Sequence, residues 1–145
     1  MTKPMQRPAL AVFSVLAALS VASPVLAATV NFKADLKGSA EVPPNSSAGH
    51  GTVTATYDTD SKKLTWKGSV SGLSGPATAA HFHGPAEPGK NAGVAIPIGG
   101  ADKGSFDGSA TLTDAQAKEL LDGKWYVNVH TAEHKAGEIR GQLTK

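Results

Sequence analysis

An all-β, antiparallel fold is predicted by three features of the sequence. Apolar and polar residues alternate with period two through most of the chain beyond residue 28. Gly, Pro, Asn and Asp interrupt that alternation at short, regular intervals. A single stretch carries helical start and stop signals. About eight strands spaced this way point to a Greek-key-like β-sandwich or flattened barrel with one short helix.

The first segment places Val30, Phe32, Ala34 and Leu36 on one face, and Glu41-Val42-Pro43-Pro44-Asn45 breaks it. Two prolines fix φ and remove donors there, so a rigid turn is predicted. Val53, Ala55 and Tyr57 follow, closed by Asp58-Thr59-Asp60-Ser61, and Leu64, Trp66 and Val70 mark a third strand. Ala80 and Phe82 mark a fourth, ended by the loop from Gly84-Pro85 to Pro88-Gly89; Val94, Ile96 and Ile98 mark a fifth. Phe106, Ala110 and Leu112 give a sixth. Thr113-Asp114-Ala115-Gln116 then reads as a capping box opening a helix to about Asp122, stopped by Gly123. Trp125, Val127 and Val129 alternate with Tyr126, Asn128 and His130, and residues 138–143 form the last strand. The predicted core comprises Phe32, Tyr57, Leu64, Trp66, Phe82, Ile96, Phe106, Leu112, Trp125, Val127, Val129 and Ile139.

The amino terminus reads as a secretory signal peptide: Lys3 and Arg7 precede an apolar run from Ala9 to Val21, then Ser23-Pro24 and Val25-Leu26-Ala27-Ala28. The run is shorter than the roughly 20 residues of a membrane span. Cleavage after Ala27 leaves residues 28–145 as one domain, in the periplasm or outside the cell. Of 14 basic residues two belong to the leader, so the remainder balances 12 against 12 acidic ones. With no basic excess and no basic cluster interleaved with aromatics, nucleic-acid binding and attachment to a membrane surface are both disfavoured. The chain has no cysteine. Thiol chemistry is excluded, and a packed core or bound ligand must do what disulfides do in many exported domains.

All five histidines lie beyond the leader, and strand parity assigns their faces. Burying Ala80 and Phe82 turns His81 and His83 outward, while burying Val127 and Val129 turns His130 outward. His50 shares the parity of Thr52 and Thr54, and His134 falls in the loop after His130. Neutral imidazoles on a rigid sheet face suit a divalent metal, and i, i+2 spacing puts two nitrogens within reach of one ion. His81, His83 and His130 are therefore the candidate ligands, with His50 and His134 as optional further ones. With no thiolate and imidazole dominant, copper or zinc is favoured over metals of softer sites, and the divalent affinity series puts copper first.

Four segments carry a family resemblance: Glu41-Val42-Pro43-Pro44, Ala80-His81-Phe82-His83-Gly84, Trp125-Tyr126-Val127-Asn128-Val129-His130-Thr131 and Gly137-Glu138-Ile139-Arg140-Gly141-Gln142-Leu143. Their order and spacing over residues 30–143 resemble the CHRD domain, the module first described as a repeat in chordin. The resemblance implies a β-sandwich like the copper-zinc superoxide dismutase barrel in outline, a secreted context, and His81, His83 and His130 as family positions.

Three functional classes follow: a metal-binding protein, a protein-interaction module with structural histidines, and an enzyme. Enzyme is the weakest. The chain lacks a Gly-x-Ser-x-Gly elbow, a His-Glu-x-x-His helix and a phosphate-cradling loop. A dismutase-like bridged centre would need more histidines and a zinc-loop aspartate. Glu138 and Arg140, on one face of the last strand, read as an ion pair or as hydrogen-bonding groups, and Tyr126 and Asn128 either orient a histidine or cover the sheet.

Overall fold

The computed structural model describes residues 28–145. The signal-peptide reading falls on residues 1–27, outside them. The alternating segments form eight strands: β1 Thr29–Lys37, β2 His50–Asp58, β3 Lys63–Ser71, β4 Ala77–His83, β5 Val94–Ile98, β6 Ser105–Thr111, β7 Tyr126–Thr131 and β8 Ile139–Gln142. Every pairing is antiparallel, in the order β5-β4-β7-β8-β1-β2-β3-β6. The sheet curls into a nearly closed, flattened barrel whose edge strands β5 and β6 approach without pairing.

The turns follow local chemistry. The Asp58 carboxylate accepts from the Asp60 and Ser61 amides and the Ser61 hydroxyl, and Lys62 takes positive φ to close the β2–β3 hairpin. Helix α1, Asp114–Leu121, starts at the predicted capping box: Thr113 Oγ1 accepts from the Gln116 amide, and the Gln116 side chain accepts from the Thr113 amide. The helix buries Ala117 and Leu120 against the barrel.

Inward residues of β1, β2 and β3 fill the interior together with Phe82, Trp125, Val127, Val129 and Ile139. Phe82 links the two tryptophans, edge-on to Trp66 at 5.1 Å between ring centres and tilted against Trp125 at 5.9 Å. Glycine sits opposite two inward aromatics, Gly108 across from Trp66 and Gly68 across from Phe106, and a Cβ at either would collide with the ring. Eleven of the twelve predicted core residues are buried; Ile96 is the exception, half-buried against the core. The cause is local. Ile96 keeps the inward register opposite Phe82, as Ile98 does opposite Ala80, but β5 is an edge strand that leaves it part-open; the bulge at Phe82/His83 acts beyond it, setting Val94 opposite outward His83 and exposing it.

A second difference concerns the outer face of β4, β7 and β8, which is not open to solvent. Tyr126, Asn128 and Arg140 point away from the barrel interior yet are 3%, 3% and 2% exposed. Residues around Glu41–Val42 and the 90–92 stretch lie over them, held by Asn128 donating to Glu41, Arg140 to Asn91 and to the Lys90 carbonyl, and Tyr126 to the Ala92 carbonyl. This outer polar layer frames the histidines.

Candidate metal centre

β4 and β7 are neighbours, paired His81 with Asn128 and His83 with Tyr126. That adjacency decides convergence, because outward side chains from adjacent strands share one surface. His81, His83 and His130 each present a ring nitrogen, and the three lie within 4.8 Å of one another. Two nitrogens on one ion sit roughly 3 to 4 Å apart with bonds of about 2 Å. His81 Nδ1 and His130 Nε2, at 3.2 Å, already meet that spacing.

Backbone carbonyls set the tautomers. A carbonyl only accepts, so the 3.0 Å contact of His83 Nδ1 with the Ala92 oxygen places the proton on Nδ1 and a lone pair on Nε2. His130 Nδ1 likewise donates to the Lys135 carbonyl at 2.9 Å, leaving its Nε2 to accept from His81 Nδ1. This is the orientation that metal-ligating histidines need, one nitrogen anchored and the other free. His83 Nε2 is buried with no hydrogen-bond partner, a state it shares only with Trp66 Nε1 among the described residues. Burial holds the pKa of His81 below the ordinary histidine value, aided by the nearby His130 and His83; burial does the same for His83, outweighing its carbonyl contact. Both shifts favour the neutral, ligating form.

The surrounding side chains fix the rings. His83 stacks face to face on Tyr126, 4.9 Å between centres and 3° between planes, while the Arg140 guanidinium carbon lies 3.5 Å from the centre of the same Tyr126 ring. Tyr126 thus orients a histidine, one of the two roles read from its position. Glu41, expected to serve only a turn, is a buried member of the layer. Burial raises its pKa to about 7, against the lowering effect of Arg140.

Glu138 and Arg140 act through hydrogen bonds and not as an ion pair with each other. Burial alone would raise the Glu138 pKa, but donors from Ser47, Ser74 and Thr131 side chains and the Ser74 amide outweigh it and bring it to about 2. The two optional ligands lie apart from the cluster. His50 stands exposed on β2, three strands from β7, with Nε2 2.9 Å from Ser71 Oγ. His134 shapes the β7–β8 turn through its backbone, accepting from the Thr131 and Gly137 amides. Neither belongs to the three-histidine group.

Residues 32–143, which carry every element of this centre, match the family model described as the CHRD domain. The chain belongs to the CHRD family. No curated protein and no solved structure matches it. The CHRD match runs from β1 to just beyond β8 and takes in both histidine strands and Glu41. No helix among the described residues of this CHRD domain is long and apolar enough to cross a membrane.

Proposed function

We propose that this CHRD domain is an exported, non-catalytic metal-binding protein that holds one divalent ion, copper, through His81, His83 and His130, and serves metal handling in the periplasm or outside the cell. The observation that carries the reading is the buried, unpartnered Nε2 of His83 beside two further imidazoles, with carbonyls anchoring the far nitrogens of His83 and His130. To ligate through Nδ1, His81 would carry its proton on Nε2. Three neutral nitrogens without thiolate or carboxylate favour copper above zinc in the divalent series. The interaction-module reading has less support, since Val94 is the one large hydrophobic side chain that stands exposed among the described residues.

Titrating copper(II) into metal-free protein spanning residues 28–145 tests this. One equivalent binds the wild type, and the His81→Ala, His83→Ala double variant loses at least about a hundredfold in affinity, as expected when two of three ligands go. Equal affinity in the two proteins, or no binding in either, removes the metal reading.

The pH dependence follows from the same imidazoles. A ligand must be neutral, and ordinary histidine protonates near 6.5. Because His81 and His83 are shifted downward, copper affinity holds to about pH 6 and is lost below it. Loss of binding already between pH 8 and 7 would contradict this assignment.

A further inference from the structure

We propose that the metal held by the three histidines takes a small carboxylate as an additional ligand, with the free oxygen of that carboxylate received by Arg140. The inference rests on the metal-binding reading and concerns the open side of that site. A cavity of about 170 Å3 is lined by His83 and His130 together with Arg140, Asn128, Asn91 and Glu41. At roughly 30 Å3 per water it has room for several heavy atoms but not for a large ligand.

Arg140 is the unusual wall. It is 2% exposed, and it forms no ion pair among the described residues. Its partners are neutral: Asn91 Oδ1 at 2.9 Å, the Lys90 carbonyl and the Tyr126 ring face. A guanidinium carries five N–H donors, of which two have partners here, so three are left without a protein acceptor. Glu41 feels the Arg140 charge through space but makes no hydrogen bond or close ion pair with it, and a fork of spare donors is the geometry that carboxylates fit.

Reach is sufficient. The guanidinium and the His83 imidazole contact the same Tyr126 ring, at 3.5 and 4.9 Å from its centre, so their separation cannot exceed those two distances together. A carboxylate with one oxygen about 2 Å from a metal and the other about 2.8 Å from a guanidinium nitrogen spans such a gap. Charge favours it as well. The three imidazoles bring none, and Glu41, the only carboxylate lining the cavity, offsets at most one of the three positive charges that a divalent ion and Arg140 make together. A divalent ion beside Arg140 therefore calls for an anion from outside.

The test adds sodium acetate to protein loaded with less than one equivalent of copper(II), so that no free copper is present, with sodium chloride as the ionic-strength control. Copper absorption and electron paramagnetic resonance spectra report on the metal. A saturable spectral change is expected with acetate, and the apparent acetate affinity falls at least about tenfold in copper-loaded Arg140→Met, the loss of a charge-assisted pair. Asn91→Ala, which removes the Oδ1 that holds the guanidinium in place without touching the core, weakens acetate severalfold through lost orientation and decides the matter should Arg140→Met not fold. Copper binding without an acetate response, an equal acetate affinity in wild type and variant, or acetate binding to the metal-free protein overturns this inference and leaves the metal site standing. Failure of copper to bind removes both.

Discussion

Trp125→Ala lowers the unfolding free energy by about 3 to 5 kcal/mol, because lost transfer energy and an unfilled cavity add. The indole is fully buried, leans on Phe82 and donates from Nε1 to Glu119 at 3.1 Å, which ties the end of α1 to the barrel. Relaxation cannot refill the space cheaply, since Gly84, packed directly against the ring, has no side chain to offer. Urea denaturation followed by circular dichroism reads the change as a shifted midpoint at constant slope. A loss under about 1 kcal/mol would mean that the ring does not fill the interior.

Glu138→Gln costs on the order of 3 kcal/mol at neutral pH, and the cost is itself pH-dependent. The carboxylate is fully buried and accepts from three hydroxyls and an amide, joining residues 47, 74 and 131 across three chain segments. Gln offers one acceptor and brings two donors that have no place among hydroxyls already aimed inward. Glu138 has its pKa lowered from 4.5 to about 2, so its stabilisation is present above about pH 4.5 and is lost as pH falls toward 2. At 1.36 kcal/mol per unit the shift accounts for about 3 kcal/mol. The gap in stability between wild type and Glu138→Gln should therefore close in that window. Glu41 works in the opposite direction: its pKa is raised to about 7, so its ionisation opposes folding increasingly from pH 4.5 upward. It is common to both proteins and cancels in the difference. A gap that stays constant from pH 7 to pH 2 would rule out the ionised Glu138 as its source.

Strand positions and the inward set were legible because period two and buried apolar side chains are local properties, and the Thr113 cap was legible for the same reason. The face of each histidine was legible too. Strand adjacency was not, since parity within β4 and β7 says nothing about pairing between them; that β4 lies beside β7 is a property of the whole chain. The outer layer also escaped the pattern. Tyr126, Asn128 and Arg140 alternate with core residues as solvent-facing positions would, and only loops brought from distant parts of the sequence bury them. The available signal was chemical: an acidic residue ahead of two prolines in Glu41-Val42-Pro43-Pro44, and an arginine flanked by apolar and glycine neighbours in Ile139-Arg140-Gly141. Ile96 failed for a simpler reason: alternation gives its inward face but not its place on an edge strand, where burial is incomplete.

His81, His83 and His130 stand on the outside of a barrel whose interior is filled by other residues, and the two tautomers that matter are fixed by main-chain carbonyls. Main-chain oxygens persist whatever side chains surround them. The interior that holds the barrel together is therefore made of other side chains than those that would supply donor atoms at positions 81, 83 and 130, although His83 also packs on Tyr126. On the metal-binding reading proposed above, the choice of ion and the fold would then be set by different residues.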